Sequence, residues 1–172
     1  MIKKIATDEQ VFFTREFLKT SPLGKRNQFN GNEFQQFFGL LAQIIVTDEL
    51  NLSRQVSINK FDGGYDFIYH QKKYDVKCEI RSISFKKHFI HNLAGEQINY
   101  EAEYYIFVSY NKTEGEFTIC GFISKEDVKK KAKFYPFATK RIRDDGTTFE
   151  VYNQKGLFEI EQKHLKNFER LR

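Results

Sequence analysis

Residues 63–81 read GGYDFIYHQKKYDVKCEIR, and the fold depends on how this stretch is understood. Tyr65, Phe67 and Tyr69 alternate with Asp66, Ile68 and His70. After a polar turn, Val76, Cys78 and Ile80 alternate with Asp75, Lys77, Glu79 and Arg81. Period-two alternation of aromatic and β-branched residues predicts a β-hairpin. Each strand would have an apolar face and an ionisable face. With a turn centred on Gln71 and Lys72, His70 lies opposite Lys73 and Asp66 opposite Lys77, with Asp75 diagonal to Asp66. Directly opposed Cβ atoms are about 4.5–5.5 Å apart and diagonal ones about 7–8 Å. Asp66, Asp75 and Lys77 then converge on one face, and a one-residue slip would separate them.

Two acids beside a lysine are costly to bury unless something binds there. Oxygen donors without a thiolate suit a hard cation, Mg²⁺ or Mn²⁺. Asp66, followed on the next strand by Asp75-Val76-Lys77, resembles the active-site pattern of the PD-(D/E)xK nuclease superfamily, the restriction-endonuclease-like fold. The resemblance implies that Asp66 and Asp75 hold the metal and that Lys77 positions or activates the attacking water. Tyr65 stands where the family has proline. The tripeptide pattern alone is weak, because Asp127-Val128-Lys129 and Glu161-Gln162-Lys163 also satisfy it. Both of those lie in stretches that read as helix, where residues two apart do not share a face. The bland alternative is a solvent-facing strand with ordinary surface charges.

At 172 residues the chain suits a single domain, and 40% hydrophobic with 30% charged residues describes a globular one. A net charge of +5 permits a polyanionic partner without requiring one. The two cysteines, Cys78 and Cys120, both fall in apolar strand patterns, which fits core thiols and a reducing, cytoplasmic setting. No charged-then-apolar leader is visible, and the longest apolar stretch, residues 37–46, is too short to span a bilayer.

Thr7 with Gln10 predicts a capped helix to about residue 19. A basic loop follows with Lys25 and Arg26. Asn32 caps a second helix over 33–50, apolar except for a stripe of Gln36, Gly39, Gln43 and Thr47, with Glu33 at its edge. In the resembling family a core helix often delivers a glutamate to the metal, commonly within Gly-x-x-Gly-Glu. Here Gly39-Leu40-Leu41-Ala42-Gln43 places glutamine at that position. Either Glu33 serves instead, or Gln43 acts as a neutral ligand or water-holder; Gln36 and Gln43 could equally just satisfy backbone groups.

Val56 and Ile58 predict a first strand. Residues 82–99 read as a long polar loop with Lys86, Lys87, His88 and His91. Residues 104–110 and 117–123 read as strands, 124–134 as a basic helix capped by Ser124, 147–152 and 157–160 as short strands, and 161–171 as an amphipathic helix. The order implies α/β or α+β layering with a mixed central sheet; the resemblance, over about residues 33–133, makes that sheet restriction-endonuclease-like. The expected activity is metal-dependent phosphodiester hydrolysis, with an endonuclease acting on DNA favoured over RNA. Glu79 is a further accessory acid. Arg81, Lys86, Lys87, Lys140, Arg141 and Arg143 are the candidate phosphate contacts. A nuclease this small that cuts both strands often needs to dimerise. The rival reading is a catalytically inactive nucleic-acid-binding protein on the same fold.

Overall fold

The computed structural model describes residues 1–20, 32–54, 64–142 and 148–172. The basic loop at Lys25 and Arg26, the strand expected at Val56 and Ile58, and Arg143 lie outside these residues. The architecture is mixed α and β, with three α-helices and a mixed five-stranded sheet among the described residues.

The helix starts expected at Thr7 and Asn32 are present. In α1 (Asp8–Thr20), Gln10 N–H donates to Thr7 Oγ1 at 3.2 Å, and Thr7 N–H donates to Gln10 Oε1 at 2.9 Å. In α2 (Glu33–Glu49), Asn32 and Gln35 make the same reciprocal pair at 2.9 and 3.0 Å. Each box satisfies donors that the first helical turn leaves open.

The sheet runs β1 (Ile2–Ile5), β6 (Glu116–Ser124), β5 (Tyr104–Asn111), β3 (Lys72–Arg81), β2 (Phe67–Tyr69). All neighbours are antiparallel except β3 and β5, which are parallel, with Asp75 beside Tyr105 and Lys77 beside Phe107. Alternation then separates two cores. Val76, Ile106, Val108 and Ile119 pack under Leu41 and Ile45 of α2. Tyr105, Phe107, Cys120 and Ile123 pack on the other side with Val128, Leu93 and Ile160. Cys78 borders the first core and Cys120 lies in the second, and both are free thiols. Burial pushes each thiol up to about 12, so both are inert hydrophobes.

Residues 82–99 do not form a long loop. They contain β4 (Ile90–Ala94) and a 3₁₀ turn over Gly95–Asn99. With β10 (Leu157–Glu161) and β7 (Lys133–Tyr135), β4 builds a second, three-stranded sheet. The short α3 (Lys125–Lys131) ends where β7 must begin, earlier than the basic run suggests. A small hairpin, β8 (Lys140–Ile142) with β9 (Thr148–Glu150), follows.

The expected C-terminal α-helix is replaced by two 3₁₀ turns, Gln162–His164 and Phe168–Arg170. Leu165, Phe168 and Leu171 still face inward, but into different cores: Leu165 packs on the second, Phe168 and Leu171 on the first. Between the turns, Lys166 pairs with Phe122 as a single β-bridge. Gly121, at φ 142°, permits that approach: a Cβ there would lie 2.4 Å from the Lys166 carbonyl oxygen.

Candidate active site

The hairpin turn is one step from where the composition suggested. His70 and Gln71 form it, both at positive φ (47° and 62°), which makes a two-residue turn whose twist suits a hairpin. The observed pairs are Phe67 with Tyr74 and Tyr69 with Lys72. Continued by one residue, this register sets Asp66 against Asp75 instead of Lys77. The register moves by two, so the face is conserved even though the partner changes.

Asp66 stands where β2 begins. Its N–H donates to the Tyr74 carbonyl at 2.7 Å. Its Oδ2 accepts from the Val76 N–H, also at 2.7 Å. The carboxylate therefore serves the stretch of β3 that β2 is too short to cover. Lys77 Nζ lies 2.7 Å from Asp75 Oδ2, with Asp75 almost fully buried and Lys77 partly so. A lysine beside a buried carboxylate offsets part of the cost of taking that charge out of water. Burial, and then the Asp75 charge, push the Tyr105 hydroxyl upward. Tyr105 donates to the Gln97 carbonyl at 2.9 Å, which walls this side of the site.

Helix α2 meets the site through Gln43, whose Nε2 donates to the Asp66 carbonyl at 3.3 Å. The polar stripe thus points at the hairpin, and Thr47 answers its own helix by donating to the Gln43 and Ile44 carbonyls. Glu33 is not brought in. It is exposed at the first turn of α2, ten residues and about 15 Å of helix axis from Gln43. Gln36 is half-buried one turn beyond it.

Glu79 and Arg81 share the face of Asp75 and Lys77 but are engaged in a different network. Glu79 Oε2 meets Arg81 Nη2 at 2.6 Å and His91 Nδ1 at 3.0 Å, and its Oε1 accepts from the Asn92 N–H at 2.9 Å. Burial alone would push the Glu79 carboxyl up; the hydrogen bond and charge of His91, then Arg81 and the Asn92 N–H, bring it below the usual range. Arg81 also donates to the Ile90 carbonyl at 2.8 Å and lies over the Phe89 ring at 4.2 Å. It ties the two sheets together and does not face outward as a phosphate contact.

His91, expected on a surface loop, is fully buried. Its Nε2 is 2.7 Å from Gln162 Oε1, while Gln162 Nε2 donates to the Cys120 carbonyl at 2.9 Å. That second bond orients the Gln162 amide, so its oxygen faces the imidazole on one side while the Glu79 carboxylate faces it on the other. Sequence reasoning missed this residue because Glu79 is 12 positions away and Gln162 is 71.

Of the remaining basic candidates, Lys86, Lys87 and Lys140 are exposed. Arg141 pairs with the buried Glu159 and lies 5.3 Å from the Tyr135 ring centroid. Among the described residues there is no group of three or more His, Cys, Asp or Glu side chains placed to hold a metal. The acidic set at the hairpin is two carboxylates, Asp66 and Asp75, while the Gln43 amide reaches the Asp66 main-chain carbonyl. Mg²⁺ is commonly bound by one or two carboxylates, with water and substrate phosphate completing its shell, so this donor chemistry fits a hard cation.

No family model matches the chain, and neither a curated protein nor a solved structure matches it. No helix among the described residues is long and apolar enough to cross a membrane.

Proposed function

We propose that the chain is a metal-dependent nuclease on a restriction-endonuclease-like fold, acting on DNA. The observation that carries this is the Lys77–Asp75 pair at 2.7 Å, set on the hairpin beside Asp66. The fold supports it through a helix laid against that hairpin at Gln43 and through β5 and β6 following β3 in the sheet. Asp66 and Asp75 would hold Mg²⁺ or Mn²⁺. When bound, such an ion supplies charge neutralisation at the phosphate and lowers the pKa of a bound water. Lys77 contributes a cation that orients the attacking water or meets negative charge developing on phosphate oxygen. Asp75 holds that ammonium in place, and the apolar wall of Tyr105 and Phe107 limits competing water.

The test is a panel of plasmid, linear, branched and RNA substrates with Mg²⁺ and Mn²⁺, using Asp75→Ala as control. Metal-dependent cleavage lost in the variant is expected. No cleavage of any substrate by the wild type would overturn the reading.

One observation favours the inactive binding protein as the second reading. The helix presents an amide at Gln43, and that amide donates to the Asp66 carbonyl instead of offering a third acid. In that case calorimetry would detect no Mn²⁺ binding while salt-dependent DNA binding persists.

A further inference from the structure

Positive charge is unevenly placed along this chain. Residues 125–142 hold seven Lys and Arg against two Asp and Glu, an excess of five that equals the net charge of the whole chain. Lys129, Lys130, Lys133 and Lys140 are exposed, and among the described residues none forms an ion pair with a carboxylate. Lys131 instead pairs with Asp127 at 2.7 Å. Glu150 is opposite Lys140 in the β8–β9 ladder yet forms no ion pair with it.

Rings are interleaved with these cations. Lys133 Nζ and the Arg141 guanidinium both sit over Tyr135, at 5.1 and 5.3 Å from its centroid. Phe137 rides on the turn closed by the Thr139 N–H donating to the Pro136 carbonyl, with Ala138 at φ 63°. Ala138 N–H donates to the Val151 carbonyl, so Phe137 and Tyr152 each stand one residue from that bond. Phe137 is 54% and Tyr152 75% exposed, and Ile142 nearby is 74% exposed. Large rings left in water on a segment that also carries unpaired lysines are what a surface that stacks unpaired bases needs: cations track the backbone and π-faces accept any base.

We propose that this strip, from α3 through β7 to the β8–β9 hairpin, binds single-stranded nucleic acid. The proposal deepens the nuclease reading by naming the form of the substrate. The position suits it: α3 follows directly on β6, two strand spacings or about 10 Å across the sheet from β3 and Asp75. An anionic membrane is the rival partner for lysines beside exposed apolar groups. It fits less well, because Phe134 projects from the opposite face of β7 to Lys133 and Tyr135, where it packs on Phe158. The apolar groups therefore do not lie at one depth.

The test is fluorescence anisotropy of the full chain in EDTA, so that binding is read without cleavage. The probes are a labelled single strand of about 20 nucleotides, the same sequence as duplex, and phosphatidylserine-containing vesicles. The single strand should bind at least ~10-fold more tightly than the duplex at equal salt, since only its bases are free to stack. Phe137→Ala with Tyr152→Ala should weaken it by about 5- to 150-fold per lost stack and leave the salt slope unchanged. Tyr152→Ala alone, at the more exposed ring, should act in the same direction. Lys130→Gln, Lys133→Gln and Lys140→Gln together should reduce the salt slope by about 2. Equal affinity for both nucleic acids, ring variants that bind like wild type, or binding to vesicles alone would each overturn the proposal. If wild type binds but never cuts, the nuclease reading falls and the strip stands; if it cuts while the ring variants bind normally, the reverse holds.

Discussion

Replacing Gln43 by glutamate sets two effects against each other. Without metal, the variant loses the donor that meets the Asp66 carbonyl and puts a carboxylate against that oxygen. Leaving such a group unsatisfied costs about 1–3 kcal/mol. With Mn²⁺ held at Asp66, an added carboxylate against the Asp66 carbonyl should tighten metal binding. Thermal melts should therefore fall in EDTA and recover in Mn²⁺; a melt that ignores Mn²⁺ would argue against a cation at the hairpin. The two native acids and the lysine should also be separable. Asp66→Ala and Asp75→Ala should each abolish Mn²⁺ heat and cleavage. Lys77→Ala should keep metal binding but cut the single-turnover rate by roughly 10²–10⁴. The pairing of Asp75 and Lys77 on one face of β3 follows from the alternation alone. The turn does not, because His70 and Gln71 occupy positive φ without glycine, which side chains of their kind adopt only when the surrounding strands impose it.

Among the elements, helix starts were legible because capping is local chemistry within four residues. Helix ends and the C-terminal segment were less so, because long-range partners decide them. Residues 161–171 have the apolar spacing of an α-helix, yet the Lys166 carbonyl and N–H are held by Phe122 across the molecule. Gly121→Ala should test this directly. Its Cβ would press on the Lys166 carbonyl oxygen, a backbone atom that cannot swing away, and its φ of 142° is a region side chains avoid. A destabilisation of roughly 1–3 kcal/mol is expected in urea unfolding. Faster amide exchange should appear at Phe122 and Lys166 first.

Across the whole molecule, the second sheet was only partly legible: residues 157–160 read as a strand, while β4 and β7 lay in stretches read as loop and helix. Its strands are three to five residues long, come from three distant segments, and pair only in space. What fastens it to the main sheet is the Arg81–Glu79–His91 network. Because Glu79 titrates below its ordinary value in the folded chain, its contribution is present at pH above about 4.5 and is lost as the pH falls through the folded value. Comparing unfolding free energy of wild type and Glu79→Gln between pH 7 and pH 3 should show the gap closing on acidification. A gap independent of pH would mean that Glu79 acts through packing alone.

The parallel pairing of β3 with β5 bears on the order in which the chain organises itself. β5 and β6 are joined by a tight turn at Gly115 and can meet early, as can β2 and β3. β3 can join β5 only after residues 82–103 have looped back, and those residues themselves carry β4, whose partner β10 is made last. Loop-closure entropy must be met before either contact contributes. Refolding followed by pulse-labelled hydrogen exchange should protect the β5–β6 ladder first and Asp75 to Arg81 later. The candidate site would thus be assembled late, when its two walls finally close on β3.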